Sequence, residues 1–154
     1  SWFFFSIGLV FWLVLMVIVF YRIIFHNPLP DRLLPTFFIL IAPPAVGFIS
    51  YVKLTGGVDT FAIILFNTAL FLTLMLATQF VRFARLKFYL SWWAYSFPLA
   101  AMTIATFVMA DVTGKDWYHT LAMALFVILN MVLAILAVRT IEAMLRNQIC
   151  VTEG

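Results

Sequence analysis

Ser91-Trp92-Trp93-Ala94-Tyr95-Ser96-Phe97-Pro98-Leu99-Ala100-Ala101-Met102 is the stretch whose reading decides the fold. It lies inside an apolar segment, residues 86–110, long enough to cross a bilayer core, which takes about 20 residues of helix. Pro98 interrupts it. A proline in a helix interior removes an amide donor and clashes with the preceding turn. In hydrocarbon the freed carbonyls need protein or water partners, which places such a break inside a bundle or along a cavity. A second break, Pro43-Pro44, falls in the segment 34–52, whereas the segments 2–25, 60–80 and 117–144 contain no proline. The chain thus reads as an all-α polytopic membrane protein of five transmembrane helices, unbroken ones alternating with proline-kinked ones, and that alternation suggests a permeation path.

Composition excludes the soluble classes. Hydrophobic residues make up 66% of the 154-residue chain and charged ones 10%, with a mean hydropathy of +1.16. A soluble domain carries about a quarter charged residues. The net charge of +3 therefore bears on membrane topology and gives no reason to expect a nucleic-acid partner. Cys150 is the single cysteine and forms neither an internal disulfide nor a metal site by itself. The chain opens Ser1-Trp2-Phe3 directly in apolar sequence, without an initiator methionine or basic leader, and reads as a piece of a longer polypeptide.

Basic residues orient the spans. Arg22, Arg32, Arg82, Arg85, Lys87, Arg139 and Arg146 fall on one side, and only Lys53 and Lys115 on the other. Short loops rich in Lys and Arg stay in the cytoplasm. The first span therefore enters from outside, the C-terminus is expected to be cytoplasmic, and an odd number of spans is expected upstream. Trp92, Trp93 and Tyr95 at one face, with Trp117 and Tyr118 at the other, suit aromatic belts. The second span follows a turn holding Pro28 and Pro30, and Pro35 fits its first turn, where no helical amide is lost. Glu142 and Arg146 are spaced as a helical i, i+4 pair in a solvated last turn.

A weak internal repeat accompanies the breaks. Thr55-Gly56-Gly57-Val58-Asp59 and Thr113-Gly114-Lys115-Asp116 each follow a broken segment and precede an unbroken one, which then carries a lone asparagine, Asn67 or Asn130. Repeated hairpins build many transport folds; convergent loop chemistry explains the likeness equally simply. The asparagines are expected to hydrogen-bond between helices, at about 1 kcal/mol each, rather than to line a substrate path.

No Asp, Glu, Lys, Arg or His lies near the middle of any span. Proton-coupled carriers need such a group to load and release a proton. Intramembrane enzymes need paired catalytic groups or metal ligands, but His26 and His119 are assigned to opposite sides of the membrane. No catalytic residue, metal ligand or cofactor site is expected, and the chain is not read as an enzyme. Ser96, Ala100, Thr103 and Phe107 share one helical stripe, with Phe97, Ala101 and Ile104 beside it. Ala42, Ala45 and Gly47 surround the double proline. Such small residues either line a narrow lumen or let helices pack closely. Phe97, one of 18 phenylalanines, reads either as core or lipid contact or as a hydrophobic constriction.

Two stretches resemble the tellurite-resistance/dicarboxylate transporter family, which takes in bacterial tellurite-resistance proteins and the plant slow-type guard-cell anion channel. They are Pro35-Thr36-Phe37-Phe38-Ile39-Leu40-Ile41-Ala42-Pro43-Pro44-Ala45-Val46-Gly47 and Trp92-Trp93-Ala94-Tyr95-Ser96-Phe97-Pro98-Leu99. The resemblance implies that the chain is the C-terminal half of a ten-helix bundle, with five kinked inner helices around a pore and five outer helices around them. It implies a homotrimer with one pore per subunit, embedded in membrane lipid. A bacterial inner membrane is the implied location. Phe97 would be the gating phenylalanine, with Pro98, Pro43 and Pro44 shaping the kinks, and Ala42, Gly47, Ser96, Ala100 and Thr103 as lumen candidates. The implied function is an anion channel for small inorganic anions, associated with tellurite resistance. The alternative is a secondary carrier of small oxyanions or C4-dicarboxylates.

Overall fold

A computed structural model describes residues 1–25, 41–78 and 90–145, and at Ile23, Leu76, Leu90 and Ser91 the backbone only. Pro28, Pro30, Pro35, His26, Arg32, Arg82, Arg85, Lys87, Arg146 and Cys150 lie outside the described residues, as do the ends 34–40, 79–80 and 86–89 of the expected spans. Everything regular among the described residues is helical. In chain order come α1 (Trp2–Phe25), α2 (Ala42–Thr55), α3 (Thr60–Ala77), a 3₁₀ helix (Leu90–Tyr95), α4 (Ser96–Thr113) and α5 (Asp116–Leu145). The stretches Trp2–Arg22, Trp92–Thr113 and Asp116–Leu145 are long and apolar enough to cross a membrane, and Thr60–Met75 is apolar but shorter. The 30 residues of α5 extend about 45 Å, well beyond a hydrocarbon core of about 30 Å.

The two short connections end their helices by the same device. Gly56 (φ 75°) and Gly114 (φ 63°) take the left-handed conformation, and their N–H groups donate to Val52 O and Ala110 O, each at 2.8 Å. Only glycine enters that region without a steric penalty, so both glycines stop a helix where the chain must reverse. The next helix after Gly56 starts at a side-chain cap. Asp59 Oδ1 accepts the Ala62 N–H at 3.0 Å, while its Oδ2 accepts the Tyr51 hydroxyl at 2.6 Å. One carboxylate thereby satisfies an orphan amide of α3 and ties it to the end of α2.

Small residues let the helices approach. Ala45, Ala62, Ala69, Ala101 and Ala105 are buried around Phe48, Phe66 and Met102. Ring contacts of Phe48 with Phe66 (5.3 Å) and Phe66 with Tyr118 (5.6 Å) join α2, α3 and α5. The last of these also brings both short loops to one end of the bundle. The N-terminus joins them there, since Trp2 and Phe5 pack on Tyr51 at 5.7 and 5.9 Å. Elsewhere α1 is mostly exposed, with Trp12 buried against the bundle. Large apolar side chains along α1 and α5, such as Phe11, Val17, Phe126, Met131 and Ile135, face outward, as lipid-facing helices require.

Hydroxyls inside the bundle are satisfied locally. Thr68, Thr73, Thr103 and Thr106 each donate to the carbonyl four residues back at 2.8 Å. Asn130 behaves in the same way and departs from the interhelical role expected of it: its Nδ2 donates to Phe126 O at 2.8 Å. The side chain sits on the exposed side of α5, where its own helix supplies the acceptor.

Replacing Gly56 or Gly114 by alanine should lower stability by about 1 kcal/mol each, the penalty for a Cβ in the left-handed region, read as earlier thermal unfolding in detergent. The hydrogen bonds from Tyr51 and from the Ala62 amide hold the Asp59 carboxyl below its ordinary value of 3.8. A depressed carboxylate contributes stability in full above that ordinary value and loses it as pH falls through the lower folded value. The stability difference between the native chain and Asp59→Asn should therefore stay constant from pH 7 to 5 and shrink only below about pH 4.

Candidate functional site

Among the described residues the prolines fall in α2 and α4, in the first α-helical turn rather than the helix interior expected of Pro43, Pro44 and Pro98. The residue before each α-helix is itself helical, Ile41 (φ −72°, ψ −35°) and Tyr95 (φ −71°, ψ −30°), so each proline removes an amide donor close to where the helix type changes. In α2 the prolines are at the first positions after Ala42. In α4 Pro98 is the third residue, and the helix type changes just before it, from 3₁₀ over Leu90–Tyr95 to α from Ser96. Neither α-helix has a side-chain cap at its start. Ser96 instead donates its hydroxyl backward, to Trp93 O at 2.7 Å.

α4 has a closed side and an open side. Pro98, Ala101, Met102, Thr103, Ala105, Thr106, Met109 and Ala110 are buried. The open stripe runs Phe97, Ala100, Ile104, Phe107 and Asp111, spaced three or four residues apart as one helix face requires. Phe97 is 62% exposed and Ile104 52%; Ala100 and Phe107 are half-buried, and Asp111 is exposed towards the C-terminal end of α4. From Phe97 to Phe107, about 15 Å of helix, this stripe has no charge. Its C-terminal part meets α5, where the His119 ring stands edge-on to Phe107 at 6.0 Å.

α2 is also two-sided. Ala42, Pro44, Ala45, Phe48 and Val52 turn into the core, while Pro43, Val46, Gly47, Ser50 and Lys53 line a cleft of about 520 Å³ against α1. A Cβ built on Gly47 meets nothing nearer than Leu65 Cδ1 at 3.9 Å, an ordinary contact, so packing among the described residues does not demand a glycine there.

The structure thus divides the residues singled out by sequence. Pro43 and Gly47 share the α1–α2 cleft, Ala42 faces the core, and Phe97 and Ala100 share the open stripe of α4, with Ser96 half-buried beside it. Phe97, Ser96 and Ala100 do not line the cleft. Thr103 stands off the open stripe, 3% exposed, with its hydroxyl bonded to Leu99 O at 2.8 Å. Ile104 occupies the central position of the stripe that Thr103 was expected to share. A threonine that returns its hydroxyl to its own helix is compatible with burial, and only the burial pattern reveals that it has done so. Among the described residues no three His, Cys, Asp or Glu side chains group as metal ligands.

Comparison with known proteins bears on this surface. The family model described as SLAC1, voltage-dependent anion channel, matches residues 1–141. The S-type anion channel SLAH3 of Arabidopsis thaliana is 35% identical over 139 residues, which is 90% of this chain and 22% of that protein. SLAH2 from the same plant is 39% identical over 113 residues, 73% of this chain and 22% of that protein. An uncharacterised transporter of Methanocaldococcus jannaschii is 24% identical over 147 residues, covering 88% of this chain and 43% of that protein. The chain therefore spans about a fifth of the length of these two plant relatives.

If the open stripe of α4 meets water, single cysteines at Ala100 and Ile104, in a Cys150→Ser background of the full-length parent, should react with a charged thiol reagent. Cysteines at Met102 and Thr103 should stay unmodified. Equal labelling at all four positions would remove the distinction between the two sides of α4.

Proposed function

This chain belongs to the voltage-dependent anion channel family, and from that premise we propose that it supplies half of an anion channel whose lumen carries no fixed charge and is closed by Phe97. The observation that carries the reading is the open stripe of α4: Phe97 is the most exposed of its large apolar side chains, two residues into the α-helix, beside Pro98 at the change of helix type. A large ring at that place narrows a passage between apolar walls, and an apolar constriction blocks ions by excluding the water they need. Pro98 in α4 and Pro43-Pro44 in α2 set the shape of the two inner helices. Phe97, Ala100 and Ile104 of α4, with Ser96 beside them, line the path, while Gly47 of α2 faces the separate α1–α2 cleft. Ala42 and Thr103, both buried, support that wall from behind.

Selectivity arises from what the lumen lacks. A passage without fixed charge holds no ion tightly, which favours throughput over binding. Anions with a small dehydration penalty cross most readily, so nitrate is favoured over chloride. Basic residues at the cytoplasmic side raise the local anion concentration. The complete protein is proposed to have ten helices and to assemble as a homotrimer with one pore per subunit, in a bacterial inner membrane with its C-terminus in the cytoplasm. The family resemblance supports each of these features, and the apolar outer sides of α1 and α5 suit contact with lipid or neighbouring subunits. A link to tellurite resistance rests on the same resemblance. The second reading, a carrier of small oxyanions or C4-dicarboxylates, is favoured only by the transporter name of the archaeal relative.

Phe97→Ala in the full-length parent should raise nitrate and chloride current on the order of tenfold or more, equivalent to at least about 1.4 kcal/mol off the crossing barrier. Two-electrode recording in oocytes or a planar bilayer reads this directly. Unchanged current from a folded, membrane-inserted Phe97→Ala protein would remove Phe97 as the gate.

A further inference from the structure

Phe97 is preceded by a turn of unusual type, and that turn is tied to another helix. The six residues Leu90–Tyr95 form a 3₁₀ helix, longer than such helices usually run, and a 3₁₀ stretch within a longer helical path often marks a hinge. Trp93 lies in this turn, and its indole Nε1–H donates to Thr140 Oγ1 of α5 at 3.1 Å, across 47 positions of sequence. The Thr140 hydroxyl donates in turn to Leu136 O at 2.7 Å, within α5. On the other side, the Trp93 carbonyl accepts the Ser96 hydroxyl at 2.7 Å. Trp93 is thus bonded through its indole to Thr140 of α5 and through its carbonyl to Ser96, the residue next to Phe97.

We propose that the Trp93–Thr140 hydrogen bond holds the turn in its 3₁₀ form and thereby sets the position of Phe97, so that Trp93 and Thr140 are positioning residues for the gate. This rests on the reading of Phe97 as the closing side chain. The geometry makes the turn an effective lever. A 3₁₀ helix turns 120° and rises about 2.0 Å per residue, against 100° and 1.5 Å in an α-helix. Conversion of the six-residue turn to α would shorten it by about 3 Å and rotate α4 about its axis by roughly 20° per converted residue. Pro98 moves with the start of α4, and Phe97 swings relative to the rest of the lumen. No side chain caps the start of α4, so no cap at that junction opposes a change of helix type. The restraint comes from α5, at its far end from the α4–α5 loop.

The role differs from that of an ordinary interfacial tryptophan in one measurable way: it acts through Phe97. Thr140→Val keeps the shape of the side chain and removes the acceptor, Trp93→Phe removes the donor, and Thr140→Ser restores the hydroxyl. In the full-length parent, Thr140→Val and Trp93→Phe should each raise resting nitrate current by about three- to tenfold, the population shift that one hydrogen bond can carry. Thr140→Ser should behave like the native protein. In a Phe97→Ala background neither substitution should add anything further. If Thr140→Val leaves resting current at the native level while Phe97→Ala raises it, the tie plays no part in gating and the proposal falls alone. An equal change from Thr140→Val with and without Phe97 would also overturn it, by showing an effect on the protein at large. If Phe97→Ala itself raises no current, the gate reading fails and takes this inference with it.

Discussion

Water is absent from the hydrocarbon core of a bilayer, so every backbone N–H and C=O there must be satisfied within the protein, and the whole arrangement of this chain depends on how it meets that demand around its prolines. Two of the α-helices begin next to prolines, Ala42 before Pro43-Pro44 and Ser96 before Pro98, so the missing amides fall where the helix type changes rather than deep inside a regular α-helix. At the other ends of the same two helices, Gly56 and Gly114 close the last turn with left-handed caps. Hydroxyls that would otherwise be buried without partners return to their own helices, as in Thr103 and Thr106. Once these local demands are met, the helices can pack closely through their alanines, because these polar groups no longer hold them apart.

That solution leaves α2 and α4 with two unlike sides. One side of each is closed by Ala45, Phe48, Ala101, Met102 and Ala105. The other stays open among the described residues: Pro43, Gly47, Ser50 and Lys53 against the α1–α2 cleft, and Phe97, Ala100 and Ile104 along α4. Neither open side carries a charge until its C-terminal end, at Lys53 and Asp111. A transported proton would need a titrating group within the membrane, and these two surfaces offer none there. What they offer among the described residues is an apolar surface with the exposed Phe97 ring near the start of α4. Membership in the voltage-dependent anion channel family and this surface chemistry converge on the same proposal.

Much of the fold was legible because membrane helices announce themselves by length and hydropathy. The first expected span, 2–25, coincides with α1, and 117–144 differs from α5 by one residue at each end. The two Gly-containing connections were also readable, whereas Pro43-Pro44 and Pro98, expected as breaks in the interior of their spans, lie in the first α-helical turn after a helical residue. Other features were not. The 3₁₀ form of Leu90–Tyr95 and the hydrogen bond from Trp93 to Thr140, 47 residues away, left no mark in the local sequence pattern. Thr103, grouped with Ser96, Ala100 and Phe107 by helical spacing, is buried while Ile104 is exposed, and its hydroxyl is satisfied within the helix by Leu99 O. Asn130 was expected to reach another helix and instead bonds Phe126 O, a choice settled by its facing outward.

The central claim is that anions diffuse through a passage without binding tightly to it, and unitary recording tests that claim most directly. The full-length parent, purified and inserted in a planar bilayer under a nitrate gradient, should show discrete current steps that scale linearly with voltage and do not change with a pH gradient. Macroscopic flux that saturates at low anion concentration and tracks the proton gradient, with no resolvable unitary steps, would contradict the channel account and establish a carrier.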